Sequence, residues 1–594
     1  MRPDDSSETR QGPSGFFMKE LTLNIKDDDL LTLKREWEQS FQKNNKDLDE
    51  RQRQNEKYWK GKQRLLLDYV YGEQGKRLQD NRIFTSIETM LPIITRMHPE
   101  PVCLGNNTEL SEDFARVLED ILYAQFDRQV SRLKLKQLVR FWFLYLLGVM
   151  KVGWDATKND ITSVVIRPQK LIMDLDCYIE GTEYTGYYVG ELRKDSANTL
   201  METFGNPDTG GNTENRAFLK DMVKGKMGTQ VNYQEWWTND MVFWTLRDRV
   251  LAKMRNPHFN YAETTKTTTD AYGLESAQTM PPKNHFVVPQ MPYIFLSVFN
   301  LGTCPYDATS LIEQNMGQQD LLNKRLRQID MNADKTNGTI VVYASSGLSK
   351  DQAAQAANAM ESGDPILCPG PAGSVQHMAA PPLAGFVYEQ AMDARNSIDN
   401  IMGTHSTTRG QYEPNQTATG KTLDKQSDET RLGFIAEYLE QVTDRLYNWW
   451  TQMIFVYYDY PTVAKFVGQE RAIGFMQTLE DEIDNDVTVS VREGSMIPKD
   501  PISRSNEAVA LFKAGVLDPL TLYERLNDPN PKKSVERLIA WQTGNFTALL
   551  DGENPVAMPP QVGMPGLPPQ EGMQPPQMSP EDAAIQRLMA QQPQ

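Results

Sequence analysis

Apolar residues recur at helical steps over long stretches of the second half of the chain and at alternating positions over its middle. In 310–336, Ile312, Met316, Leu322, Leu326 and Ile329 fall at three-to-four or six-residue steps, which predicts a helix with one packed and one hydrated face. The polar run Asp307-Ala-Thr-Ser ahead of it can cap orphan amides, and Asn337-Gly338 behind it is a strong turn signal. The segment from TIVVY to PILCPG then reads as strand, short Ala-rich helix, strand. Helix returns at LAGFVYEQAMDARNSIDNIMG, directly after Pro381-Pro382 and closed by Gly403. Two helices around a small α/β tip predict a stalk with a head.

The residues 404–420, THSTTRGQYEPNQTATG, carry almost no apolar side chain and are punctuated by Gly410, Pro414 and Gly420, which predicts a loop. From Lys421 the stripe Leu432, Ile435, Leu439, Val442, Leu446, Trp449 and Met453 predicts a long amphipathic helix.

Earlier in the chain, 27–71 reads as one or two charged helices with Leu30, Leu33, Trp37 and Phe41 on one face, and over 81–153 helical periodicity dominates, with a core stripe through Phe114, Val117, Leu118, Ile121 and Leu122. The run FWFLYLLGVM at 141–150 is too short for a membrane span, which needs about 20 apolar residues, and reads as a buried helix end entering a strand. From 150 to about 251 aromatic and β-branched residues alternate, predicting an antiparallel sheet with one covered face. Trp236, Trp237 and Trp244 have the type to stack on bases, but they lack interleaved Lys and Arg, so packing is the favoured reading. The polar stretch 256–284 reads as an exposed excursion. Further on, DVTVSVREG predicts a strand, followed by helices at 506–514, 519–527 and 533–543. The Pro/Met/Gln-rich 551–594 predicts disorder.

Composition narrows the chemistry. With 594 residues the chain has length for several domains, and a formal net charge of −17 argues against gripping nucleic acid by bulk attraction. Cys103, Cys177, Cys304 and Cys368 are far apart, and five histidines are scattered, so neither a disulfide framework nor a zinc site is indicated; buried free thiols are expected. The polar start MRPDDSSETRQGPSG shows no secretory signal, so a soluble, intracellular protein is expected. No Walker A, HExxH, GxSxG or EF-hand pattern occurs, and the acidic run EDEIDND at 480–486 reads as a solvated turn rather than a two-metal centre. No catalytic residue, metal site or cofactor is expected.

The order of pieces resembles the portal (head-tail connector) proteins of tailed bacteriophages, over roughly 35–544. Besides the stalk and long helix, the phrases NRIFTSIETMLPIITRMHPEPV (81–102), GVMKVGWD (148–155), VVPQMPYIFLSV (287–298) and SLIEQNMGQQDLLNKRLRQI (310–329) carry it. The resemblance implies a predominantly helical α+β portal-type fold of wing, stem, clip and crown, assembling as a ring, commonly of twelve. It divides the chain into a disordered start (1–26), wing (27–309), first stem helix (310–336), clip (337–380), second stem helix (381–403), tunnel loop (404–420), long wing helix (421–480), crown and C-terminal helices (481–550) and tail (551–594). It implies a non-catalytic DNA conduit for packaging and ejection, located at the portal vertex of the virion after assembly in the host cytoplasm. Its partners would be double-stranded DNA, the terminase large subunit, major capsid and scaffolding proteins and tail adaptors, with no membrane. His405, Arg409, Gln411, Tyr412, Asn415 and Gln416 would face DNA from the loop. Lys324, Arg325, Arg327 and Arg395 on the stem are candidates to touch phosphates, with salt bridges or solvated charge as the equal alternative. The competing readings are a DNA-processing enzyme (a nuclease or terminase subunit) and another internal virion protein; the mixed 150–298 region counts against the latter.

Overall fold

The computed structural model describes residues 24–542 except 64–78, 97, 106–108, 208–210, 225, 227, 262–263, 270–274, 281–282, 335–338, 343–348, 353, 356–374, 379–381, 405–417, 481–486, 493–494, 496–500, 527 and 529–530. It is a mixed α+β structure in which helix is the larger share, and it divides into two compact units, Met1–Pro498 and Lys499–Gln594.

The first unit opens with α1 (Asp27–Trp59), a single 33-residue helix, followed by α2 (Arg82–Ile94), β1 (Pro101–Leu104), α3 (Glu109–Arg128) and α4 (Ser131–Tyr145). The apolar run at 141–150 does what its pattern predicts. Helix α4 ends at Leu146, which turns through a left-handed φ of 67°, and the chain enters β2 (Gly148–Asp155) with both sides of the junction buried.

Next come β3 (Asp160–Ile166), β4 (Leu171–Met173), β5 (Ile179–Glu180), β6 (Glu183–Tyr184), β7 (Val189–Ser196), two short helices α5 (Ala197–Phe204) and α6 (Thr213–Met222), β8 (Gln230–Trp237), β9 (Met241–Leu246), β10 (Arg249–Arg255), β11 (Thr264–Thr269), β12 (Glu275–Met280) and β13 (Tyr293–Leu296). The alternating region is therefore two larger sheets rather than one. An antiparallel sheet runs β10-β9-β8-β7-β4, and a second runs β13-β2-β3. The five-stranded sheet is covered on both faces, not one. Trp236 and Phe243 pack under α1, where Trp37 stacks on Tyr188 with ring centroids 4.3 Å apart. Val231 and Tyr233 on the other face meet α5 and α6, while Trp237 and Val242 meet the second sheet. Gly190 lets β7 pass Trp236, because a Cβ there would lie 2.5 Å from the indole ring. The tryptophans are core: Trp236 and Trp237 are buried and Trp244 is partly so.

The stretch expected to be an exposed excursion has a buried base. Asn256 donates to Asn239 O at 2.8 Å and Gln290 O at 2.7 Å, and Asn260 and Asn284 exchange two 2.8 Å bonds, closing the neck of the β11–β12 hairpin. Local composition hid this, since polar side chains that satisfy each other inside a fold look like solvent-facing ones in sequence.

The remaining elements of this unit are α7 (Leu311–Asp334), β14 (Thr339–Val342), β15 (Val375–Met378), α8 (Phe386–Met402), α9 (Ala418–Tyr457), α10 (Tyr460–Val467), α11 (Gln469–Glu480) and β16 (Thr488–Val491), the last paired with β1. Helix α9 is the spine of the core: Leu432, Ile435, Leu439, Val442, Leu446, Trp449 and Met453 are each at most 3% exposed. It starts three residues before the expected Lys421. The helical stretch to 480 is three helices, because Asp459 caps a new helix start with Pro461 in its first turn and Gly468 takes a φ of 85°. The second unit contains α12 (Pro501–Lys513), α13 (Pro519–Arg525) and α14 (Pro531–Gln542). The acidic run from 481 and the tail 551–594 lie outside the described residues, as does Cys368; Cys103 is buried, and Cys177 and Cys304 are half-buried.

Charges meet in the core where the two larger sheets face each other. Lys151 Nζ donates to Glu191 Oε2 at 2.9 Å and to Glu235 Oε1 at 2.7 Å, and Arg193 Nη1 donates to Glu235 Oε2 at 2.7 Å. Burial alone would raise the Glu235 carboxyl; Lys151 and Arg193 outweigh it and hold it well below the usual carboxylate range. His258 stacks on Trp237 beside this group and its Nδ1 lies 3.1 Å from Tyr457 Oη; burial first, then Lys151, lowers its imidazole to about 3. With a folded pKa below the unfolded value of about 6.5, neutral His258 stabilises the fold fully above pH 6.5, and that stability drains as pH falls toward 3. Urea unfolding of the wild type should therefore lose stability between pH 6.5 and 4.5, and His258→Phe, which keeps the ring but not the titration, should lose about 1 kcal/mol less per pH unit.

Candidate functional site: the two-helix stalk and its polar footing

Helices α7 and α8 pack against each other, and β14 and β15 between them form an antiparallel ladder with Thr339 opposite Met378. This is the expected stalk and part of its head. The strand that pairs with β14 is 375–378; the one expected around PILC lies outside the described residues. Ser310 supplies the start of α7, accepting from Ile312 N at 3.1 Å while donating to Phe143 O at 2.6 Å. Gly403 ends α8 with a φ of 70°, the left-handed conformation a helix C-terminus favours.

What holds the stalk is a row of buried amides that the apolar periodicity does not reveal. Asn315, Gln319 and Asn323 on α7 are all fully buried. Gln319 Nε2 donates to Asp80 O at 2.6 Å, and its Oε1 accepts from Arg82 N at 3.1 Å and Ile83 N at 3.4 Å, so it serves the first-turn amides of α2. Asn323 donates to Gln63, which in turn donates to Tyr58 O at 3.0 Å. Around this row sit ion pairs and a phenol bond. Arg51 makes a two-pronged contact with Glu313 at 3.1 and 2.9 Å. Arg82 Nη2 reaches Asp399 at 3.3 Å, Arg395 Nη2 reaches Asp80 at 2.8 Å, and Tyr58 Oη donates to Asp320 at 2.7 Å. Burial raises the Tyr58 hydroxyl, and the Asp320 carboxylate raises it further. The signal in the sequence was the four-residue spacing of Asn315, Gln319, Asn323 and Arg327 across a helix otherwise read by its apolar residues.

The stem cations occupy different settings. Lys324 is exposed. Arg325 is half-buried and donates to Gln328 Oε1 at 2.8 Å, and Arg327 is buried with its charge acting on Asp320. Arg395 is committed to Asp80 within its own chain. His405, Arg409, Gln411, Tyr412, Asn415 and Gln416 lie outside the described residues.

No protein-family model and no curated protein matches the chain. Among solved structures it is similar to a chain from "Neck of empty GTA particle computed with C6 symmetry", at 10% identity and a TM-score of 0.32, with 78% of this chain and 93% of that one covered. An overlap of that size carries neither fold nor function across.

Among the described residues, no three or more His, Cys, Asp or Glu side chains are grouped to hold a metal ion, and no helix is long and apolar enough to cross a membrane. The arrangement at the footing is mechanical. Polar groups whose partners are fixed in space set the position of α7 and α8 on α1 and α2. Gln319→Leu strips partners from three backbone groups and should cost about 3 kcal/mol in urea unfolding of the full chain, while Gln314→Leu on the exposed side of α7 should stay within about 0.5 kcal/mol.

Proposed function

We propose that this chain is a portal protein: a non-catalytic subunit of a ring, commonly a dodecamer, at one capsid vertex, through which double-stranded DNA is packaged and later ejected. The observation that carries the reading is the order and pairing of the stalk elements. A packed helix pair, joined through an antiparallel β-ladder and anchored by buried polar bonds, is followed by a short linking segment and a 40-residue core helix. The sequence phrases set out above accompany it in the same order.

In this reading α7 and α8 line the channel, 337–380 faces the terminase large subunit and afterwards tail adaptors, and 404–420 meets DNA. Major capsid and scaffolding proteins would meet the body during assembly in the host cytoplasm. The net charge of −17, repeated around a ring, suits a conduit, since DNA carries one charge per about 1.7 Å and is kept off a negative wall. Of the stem candidates, Lys324 is the exposed cation and the first to be tested as a phosphate contact.

Negative-stain microscopy of the purified full chain should give rings with a central hole; monomers or filaments at every concentration would remove the proposal. Deleting 406–417 should leave ring formation intact and lower the genome content of particles, and unchanged genome content would sink the role given to that loop.

A further inference from the structure

The corner between α3 and α4 breaks local rules without a return inside the chain. Val130, at the turn, holds φ at 52°, a left-handed backbone that β-branched residues rarely adopt. Its side chain and that of Leu133 are 55% and 60% exposed. Helix α4 then opens on Arg132, Lys134 and Lys136 with no acidic residue in its first turn, although a helix N-terminus favours negative charge. Lys158, from the β2–β3 turn, lies at the same corner and is paired with Asp155 at 3.2 Å. Burial and then the Lys158 charge lower the Lys134 ammonium to about 8, with Asp160 opposing them. Arg132 and Lys136 have no ion-pair partner among the described residues. Exposed apolar side chains beside two cations, Arg132 and Lys136, that lack an ion-pair partner among the described residues, on a strained turn, mark a surface shaped for something outside the chain.

The complementary chemistry lies elsewhere on the same unit. A cleft of about 620 Å³ is bounded by the β5–β6 hairpin, α9 and β16, and its walls carry Glu180, Glu183, Glu440 and Asp444. One guanidinium, Arg445, faces them, and it is already paired with Glu183 at 2.8 Å. Beside the cleft the apolar side chains Tyr178 and Leu301 are 40% and 86% exposed, and a Cβ at Gly302 would lie 4.0 Å from the Tyr178 ring. The two surfaces are well separated. Asp444 lies on the cleft; Tyr458, just past the C-terminal end of α9 and about 21 Å further on, donates to Asp160 at 3.2 Å, next to the basic corner.

A surface that complements a different surface of the same chain makes a heterologous contact, which closes into a ring when the rotation allows. The geometry points to a head-to-tail contact between copies of this chain, in which Val130 and Leu133 of one copy seat against Tyr178 and Leu301 of the next, and Arg132 and Lys136 face its acidic cleft. This rests on the ring reading above and names the contact that would build it.

Charge reversal and its rescue test the contact in the full chain by mass photometry. Arg132→Glu with Lys136→Glu, and separately Glu180→Lys with Glu440→Lys, should each raise the concentration needed for half-assembly by about tenfold or more. All four changes together should bring it back toward the wild type, a recovery that misfolded variants would not give. Unchanged assembly in either reversed pair, or four changes without recovery, overturns the contact while leaving a wild-type ring standing. A wild type that never assembles overturns the contact and the ring together.

Discussion

Satisfaction of buried polar groups at the base of α7 is the constraint on which the stalk depends. Gln319 is fully buried and bonded to both sides of the Asp80–Ile83 turn, so the helix cannot rotate or slide without stranding amides in the core. An apolar contact would tolerate small slips, because dispersion is nearly indifferent to which methyl meets which. The crossed pairs Arg82–Asp399 and Arg395–Asp80 remove the remaining freedom, since moving α8 by a turn would bring like charges together. Fixed axial position is what the footing secures, more than raw stability.

The body supplies the stability. Helix α9 runs an apolar stripe through the largest core cluster, and both faces of the five-stranded sheet are covered. Where charge enters the core between the two larger sheets, Lys151 serves one Glu235 carboxylate oxygen and Arg193 the other. Such a group is tolerated because its bonds are complete; it also ties the two sheets in one register.

Much of the fold was legible in residue pattern. The stripe on α9, the stalk helices and the strand runs follow from spacing, and the helix-to-strand change at Leu146 follows from an apolar run of ten flanked by Arg140 and Lys151. Three things were not. The short helices α5 and α6 sit inside a strand-rich region, where eight to ten residues give too little periodicity to stand out. The buried neck at Asn256 and Asn260 reads as a loop because its polar groups pair across a long sequence separation. The amide row on α7 was missed for the same reason: Gln319 and Asn323 count as hydrated in a pattern argument, yet their partners at 80–83 and 63 are more than 200 residues away.

The distribution of charge poses the sharpest question for a ring. Copies carrying −17 each repel, so assembly needs local attraction strong enough to offset a long-range penalty that salt screens within about 8 Å at physiological ionic strength. A contact of like surfaces would add to that penalty. A contact between the basic α3–α4 corner and the acidic cleft reverses its sign where the copies touch and leaves the excess negative charge elsewhere. It also fixes direction, because each copy offers one basic and one acidic surface, and a reversed neighbour would place acid against acid. In the proposed ring, closure with a single polarity would follow from this charge placement, with apolar side chains at Val130, Leu133, Tyr178 and Leu301 supplying attraction that salt does not screen.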